Sequence, residues 1–338
     1  MAIKHITALF LATALLALQN SGVGAQDKVV FTTSSTSMLN IPVYVADVMG
    51  DFAEQKIVPE FVVLKSGGAT AMAAVLGGNA DIYIGAPSTA LGAANRGGEV
   101  VVFGAILTEF ALDIVIQKEV ATAKGLTAAS TIAERFAALN GLKLGVTGAG
   151  SATHQIAQYV LRTAKLDPER DATLVFVSSS EDMQAAFVSK RVDGIVTANP
   201  SSEMLVRDGS FLLVNGAAGN YPALKGLAHI VLVGSKRWVA ADPNRTTRVL
   251  RAIESAQRAL RDPQQNVTAR DRVHAKYFPG FDKAVFDAAW ENTRQAIPAT
   301  TRLADDAIAR NMAFVKEFSD QKFKIAAEAV YTNAYAPK

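Results

Sequence analysis

The chain alternates short apolar runs with small-residue stretches of helical spacing, and it does so twice. Val29, Val30 and Phe31 open a run at 29–34 of buried-strand length. The polar loop Ser35-Thr36-Ser37-Met38-Leu39-Asn40 follows, and Pro42 suits the first turn of a helix reaching about Gln55. Further strands are predicted at 58–64, 81–85, 100–106 and 112–116. Among them lie a helix from Gly67-Gly68 to Leu76, closed by Gly77-Gly78, and another from Pro87 to Gly97-Gly98. The pattern restarts with strands at 142–146, 173–177, 192–197 and 211–214. Helices are expected at 152–164, at 181–190 with Ser180 as its cap, and from Pro200. Strands separated by helices of this length imply a parallel sheet covered on both faces.

The second half also repeats the first in its letters. Met72 to Asp81, then Pro87-Ser88, aligns with Met183 to Asp193, then Pro200-Ser201, a period of about 112 residues. Each copy reads helix, tight turn, aspartate, strand, then Pro-Ser at a helix start. The length suits one lobe per copy. After a strand at 229–233 the chain turns helical, with apolar spacing at 246–261, 285–296 and 304–318. This tail is expected to return to the first lobe. The division is then 26–117 plus 227–338 for lobe I and 118–226 for lobe II, with crossings near 117–122 and 217–227.

Residues 1–25 read as a secretory signal. Lys4 and His5 precede the apolar run 6–18, and Val23-Gly24-Ala25 offers small residues for cleavage after Ala25. Gln19, Asn20, Ser21 and Gly22 end the run too early for a membrane span. Cleavage of 25 of the 338 residues would leave 313, enough for two domains. The chain has no cysteine, which excludes a disulfide scaffold, a thiol nucleophile, an iron–sulfur cluster and a lipid-modified cysteine. Net charge is +3, without a basic stripe, and aromatic residues make up 7%; nucleic acid is not an expected partner. The expected location is the bacterial periplasm.

In open α/β sheets ligands sit beyond the carboxyl ends of the strands. The loops there are 35–42, 86–88, 147–154 and 197–201. They combine small residues, hydroxyls and immediate entry into helices, whose N-termini favour anions or polar acceptors. The candidate contacts are Ser37, Met38, Pro42, Ala86, Pro87, Ser88, Gly150, Ser151, Ala152, Thr153, His154, Asn199 and Pro200. Gly148 and Gly150 would let the backbone approach a ligand, although the same loop reads equally as a capped, glycine-rich turn. It lacks the Gly-Lys-Ser/Thr of a phosphate loop. His154, in the first turn of a helix, would tend to be neutral, and an ordinary packed histidine is the plainer reading. Asp81 and Asp193 read as turn-closing residues; Glu109 and Asp113, after a strand end, could reach the cleft, with solvated loop charges the plainer reading. No metal-ligand spacing and no Gly-x-Ser-x-Gly elbow occurs, so no metal, cofactor or catalytic residue is expected.

The order of signal segment, Ser/Thr loop, Pro-started helix, Met-Ala-Ala-Val-Leu-Gly-Gly-Asn-Ala-Asp-Ile, Ala-Pro-Ser and Gly-x-Ser-x-x-His resembles a known family. It is similar to the periplasmic substrate-binding proteins of ABC importers in the nitrate, sulfonate and taurine group. These share a superfamily with thiamine-pyrimidine synthase. The resemblance implies an α/β, type II periplasmic-binding-protein fold: two lobes, joined by two hinge segments, that close on a small solute. It further implies a monomer that passes a sulfonate-, nitrate- or carboxylate-like solute to a membrane permease and its ATPase, and that is not an enzyme. A pyrimidine-synthase-type enzyme, a pyrimidine-precursor binder and a ligand sensor for a membrane receptor are the alternatives. Where family loops often carry a lysine, an arginine or a further aromatic, these four loops hold neither Lys nor Arg. An anion would be held here by neutral donors and helix ends.

Overall fold

The computed structural model describes residues 26–65, 67–177, 179–318 and 321–338. The expected signal segment, with its cleavage site, lies outside the described residues. Among the latter the strands are β1 (Asp27–Thr33), β2 (Ile57–Val63), β3 (Ile82–Gly85), β4 (Val100–Leu107), β5 (Asp113–Ile116), β6 (Lys143–Val146), β7 (Thr173–Phe176), β8 (Gly194–Thr197), β9 (Phe211–Val214) and β10 (Ile230–Ser235).

They form two five-stranded sheets, ordered β2-β1-β3-β10-β4 and β7-β6-β8-β5-β9. Strand β1 is parallel to β2 and β3, and β6 is parallel to β7 and β8. Strand β10 is antiparallel to β3 and β4, and β5 to β8 and β9. The sheets are therefore mixed, not parallel throughout as helix spacing alone implies. Connectivity is the reason. The chain passes from β4 to β5, and from β9 to β10, without an intervening α-helix. Each of these strands leaves one sheet and enters the other against its direction. The two orders are otherwise the same, so the repeat in the letters is a repeat of topology.

The repeated aspartates show this at the level of single atoms. Asp81 Oδ2 accepts the Val30 N–H of β1 at 2.8 Å, and Asp193 Oδ2 accepts the Lys143 N–H of β6 at 2.8 Å. Both tie the turn before a central strand to the strand beside it. A different boundary needs correction. The expected first lobe, 26–117, includes β5, yet β5 belongs to the second sheet, so the first crossing falls at 108–112.

Alternating side chains fill a core on each face of each sheet, as a period of two requires. Val29, Phe31, Val101 and Phe103 face one side of the first sheet; Val100, Val102 and Val231 face the other. In the second, Ile114 and Ile116 face one core and Val115 the other. Each such buried side chain contributes about 1.5–3 kcal/mol. Helices Pro243–Ala259 and Lys283–Thr293 cover the first lobe through Val249, Ile253, Phe286 and Trp290. A helix at Pro263–Tyr277 does the same with little more than Ala269 and Val273, too few apolar residues to mark it in the sequence. The last helix, Ala307–Phe318, does not return wholly to the first lobe. Ala307 and Ile308 join its core, but Phe314, Val315 and Phe318 join that of the second.

Candidate functional site

The carboxyl ends of the parallel strands meet across the two sheets in pairs. Beyond β1 and β8, the Met38 N–H donates to the Asn199 carbonyl at 3.1 Å. Beyond β2 and β7, Lys65 Nζ lies 3.8 Å from Glu181 Oε1. Beyond β3 and β6, Gln321 stands between the lobes. A methyl carbon placed on Gly150 would lie 3.6 Å from Gln321 Nε2, and one on Gly92 would lie 4.0 Å from it. The loops of the two lobes thus face and touch one another at these points.

On the first-lobe side the loop after β1 is held by Asn40. Its buried Nδ2 donates to Thr33 Oγ1, to Ser35 O and to Tyr44 Oη at 3.1–3.3 Å. Ser37 is half-buried. Met38 and Pro42 are buried in the wall behind, Pro42 in the first turn of helix Ile41–Met49. Helix Pro87–Asn95 begins without a side-chain cap: Ala86 is its half-buried N-cap, Pro87 has no N–H, and Ser88 is buried. Tyr83 supplies a hydroxyl at this helix start, with Oη 3.4 Å from Thr89 Oγ1. Its ring runs along the sheet over Gly85, where a Cβ would lie 2.0 Å from Oη, and its tip reaches Gly68. Burial pushes the Tyr83 phenol above its ordinary value, so the group is a neutral donor or acceptor.

On the second-lobe side, helix Ala152–Thr163 follows β6 through a knot of hydroxyls. Ser151 Oγ accepts the His154 N–H at 3.2 Å and lies 2.9 Å from Thr153 Oγ1. Thr153 Oγ1 accepts the Thr147 N–H at 2.9 Å. The capped-turn reading of this loop is therefore correct for its side chains. Gly150, at φ +74°, donates its N–H to His154 Nδ1 at 3.0 Å, which places the proton of a neutral ring on Nε2. Ala152 and Thr153 hold the N–H groups that have no intrahelical acceptor by position. Phe176, half-exposed at the end of β7, sets its ring edge-on to His154 at 5.3 Å.

Asn199 and Pro200 are buried and joined by a cis bond, and helix Ser201–Arg207 starts one residue after the expected Pro200. Ser202, which the sequence did not single out, places Oγ 2.7 Å from Asn199 Oδ1 and 2.6 Å from Asp113 Oδ2. Asp113 is 1% exposed and so is not a solvated charge; it has no cationic partner among the described residues. Burial pushes its carboxyl up to about 6. Glu109 instead accepts the Gly226 N–H at 3.0 Å and ties the two crossings together. His229, buried on the second crossing, accepts the Ala111 N–H at Nδ1 and stacks on Phe110 at 4.5 Å. Burial pushes its imidazole down to about 3, so it is neutral.

No lysine or arginine is among the buried residues described. The four loops themselves carry no cation. Lys65, just beyond β2, is exposed and paired with Glu181, and the Arg96 guanidinium lies 3.4 Å from a Cβ placed on Gly92, which Gln321 also reaches. The chemistry on offer is that of neutral hydroxyls, amides, an imidazole and helix N–H groups. Surface concavities of 410 Å³, lined by Gln158, Arg162 and Lys165, and of 340 Å³, lined by Asp51, Arg251 and Arg258, lie away from the strand ends. They are lined by none of the candidate contact residues. Asn40, Tyr83 and Gln321 stand beside the candidate contacts and are marked by no motif. An aromatic two residues before a strand-ending glycine is a usable signal for Tyr83; the tail around Gln321 carries none.

A model of the NMT1-like family matches residues 35–273. No curated protein matches the chain in sequence. Among solved structures, one from Bordetella bronchiseptica has a TM-score of 0.76 at 22% identity, covering 92% of this chain and 96% of that one. The alkanesulfonate-binding protein from Xanthomonas axonopodis, bound to MOPS, has 0.67 at 20%, covering 91% and 99%. The periplasmic nitrate-binding protein from Synechocystis has 0.69 at 14%, covering 92% and 87%. These likenesses show the fold, that of the periplasmic binding proteins.

Proposed function

The chain belongs to the NMT1-like family, and from that premise we propose that it is the periplasmic solute-binding component of an ABC importer. The observation that supports this is the approach of the two lobes at the Met38–Asn199 bond, the Lys65–Glu181 pair and Gln321, all on segments that follow the parallel strands or return between the lobes. A cleft between such lobes buries a small solute when they close. The contacts assigned to it are Ser37, Ala86, Ser88, Gly150, Ser151, Ala152, Thr153, His154 and Asn199, with Met38, Pro42, Pro87 and Pro200 shaping the walls. Tyr83 and Gln321 join them. The lobes are 26–112 with most of 227–338, and 113–226.

The ligand is a small organic or anionic solute of the sulfonate, nitrate or carboxylate kind, held by neutral donors and helix ends. The solute is captured and released without turnover. The protein is exported with cleavage after Ala25, acts as a monomer and delivers to a permease and its ATPase. Native mass spectrometry of freshly purified protein tests this directly, because a closed cleft carries its solute through purification. A bound mass in the range of a small organic acid is expected. Bound iron, or turnover of a pyrimidine precursor, would favour an enzyme instead.

A further inference from the structure

Asp113 opens β5, immediately after the first crossing, and its carboxyl begins a buried chain of hydrogen bonds that ends in the other lobe. Oδ1 accepts the Gly216 N–H of the second crossing at 3.0 Å. Oδ2 lies 2.6 Å from Ser202 Oγ, and Ser202 Oγ lies 2.7 Å from Asn199 Oδ1. Asn199 Nδ2 then donates to Thr293 Oγ1 at 3.2 Å, while the Asn199 carbonyl accepts the Met38 N–H. Thr293 and Met38 belong to the first lobe, and all these side chains are buried. One carboxyl therefore touches both crossings and, through two side chains, the Met38–Asn199 contact between the lobes.

The protons in this chain can be counted. A serine hydroxyl has one hydrogen and here faces two acceptor oxygens. With Asp113 ionised, one of the two contacts holds a pair of oxygens with no hydrogen between them. With a proton on Oδ2, Asp113 donates to Ser202, Ser202 to Asn199, and Asn199 to Thr293, so every contact is satisfied. An ionised Asp113 suits only the reversed amide of Asn199, which forces the bond to Thr293 to reverse as well.

We propose that Asp113 is a positioning residue of the cleft that carries a proton when the lobes are together and, through Ser202 and Asn199, couples lobe closure to proton uptake. This rests on the solute-capture reading. The surroundings agree with it. Burial without a cation favours the neutral acid, Glu203 on helix Ser201–Arg207 acts in the same direction, and Tyr221 is the other titratable group facing the carboxyl.

The absence of cysteine allows spin labels to be placed at E54C and E169C on the two lobes of the full chain. Interlobe distances, measured without solute from pH 8 to pH 5, report closure. The ratio of closed to open protein is expected to stay level above about pH 6 and to rise by up to tenfold per pH unit below it, as one proton is taken up. Asp113→Asn, whose amide donates to Ser202 and whose oxygen accepts from Gly216, should remain closed at every pH. A pH-independent distance in the parent, or an unchanged pH profile in Asp113→Asn, overturns the coupling. If that variant does not fold, Ser202→Ala serves: it cuts the chain and should abolish the pH dependence, and retention of the profile overturns the proposal. Distances that respond to added sulfonate, nitrate or carboxylate but not to pH contradict only the coupling. Distances that respond to neither contradict the solute-capture reading as well.

Discussion

Met38 and Asn199 join the two lobes through a main-chain bond of 3.1 Å, donated by the loop after β1 of one lobe to the loop after β8 of the other. The bond brings the ends of β1 and β8 together, and the Asn199 side chain strengthens the seam by donating to Thr293. Closure is thus held by contacts within the protein as well as by any solute.

Thr293→Val keeps the side-chain shape and removes the acceptor. A buried Asn199 N–H is left unpaired in the closed form, at a cost of about 1–3 kcal/mol. Solute affinity should fall by roughly ten- to a hundredfold. Titration calorimetry checks the affinity, and a near-parental denaturation midpoint would place the loss in closure rather than in folding.

Two buried titratable groups at the crossings, His229 and Asp113, have opposite pH signatures. His229 is held down to about 3 from its ordinary 6.5, so the folded chain refuses a proton that the unfolded chain accepts. Its contribution to stability is full above 6.5 and is lost as pH falls toward 3. Asp113 is held up to about 6 from its ordinary 3.8, so the folded chain keeps a proton that the unfolded chain loses. Its contribution is full below 3.8 and is lost as pH rises through 6. From about pH 4 to 6 the slopes oppose, each on the order of 1 kcal/mol per pH unit. In that window Asp113→Asn should lose stability on acidification, His229→Asn should gain it, and the parent should change little. Urea unfolding at several pH values separates the three.

Gly85→Ala tests the seat of Tyr83. The new Cβ would lie 2.0 Å from the phenol oxygen and 2.2 Å from the ring, both inside van der Waals contact. Displacing a packed ring costs about 1–3 kcal/mol. Adding Tyr83→Ala should recover part of that loss, because the collision is then gone; double-mutant unfolding measurements give the coupling.

How far the letters reveal this protein differs from element to element. The strands are legible because Val, Ile and Phe alternate over short runs, and Asp81 and Asp193 announce the repeat because each closes the same turn. The loops at 147–154 and 86–88 are legible through glycine, proline and hydroxyls at helix starts. The reversed directions of β5 and β10 are not, since direction is set by which sheet receives the strand. Asp113 reads as a surface charge because nothing local says that Gly216 and Ser202 will enclose it. The tail is misread for a similar reason: Phe314 and Phe318 have helical spacing, which does not say which of two cores they enter.

Ser151→Ala removes the hydroxyl that caps helix Ala152–Thr163, and a loss of about 1 kcal/mol in stability is expected. Ser151→Phe should fill the cleft at Gly150-Ser151 as well. It should weaken solute binding while leaving the circular dichroism spectrum of the free protein unchanged.

Thermal unfolding of the parent and of Ser151→Phe across sulfonates, nitrate, carboxylates and pyrimidines tests the central claim most directly. One class of solute at about 100 times its dissociation constant should stabilise the parent by roughly 2.7 kcal/mol. The same solute should leave Ser151→Phe near its unliganded melting temperature. Equal stabilisation of both proteins, or of neither by any solute, would contradict the assignment of this cleft as the binding site.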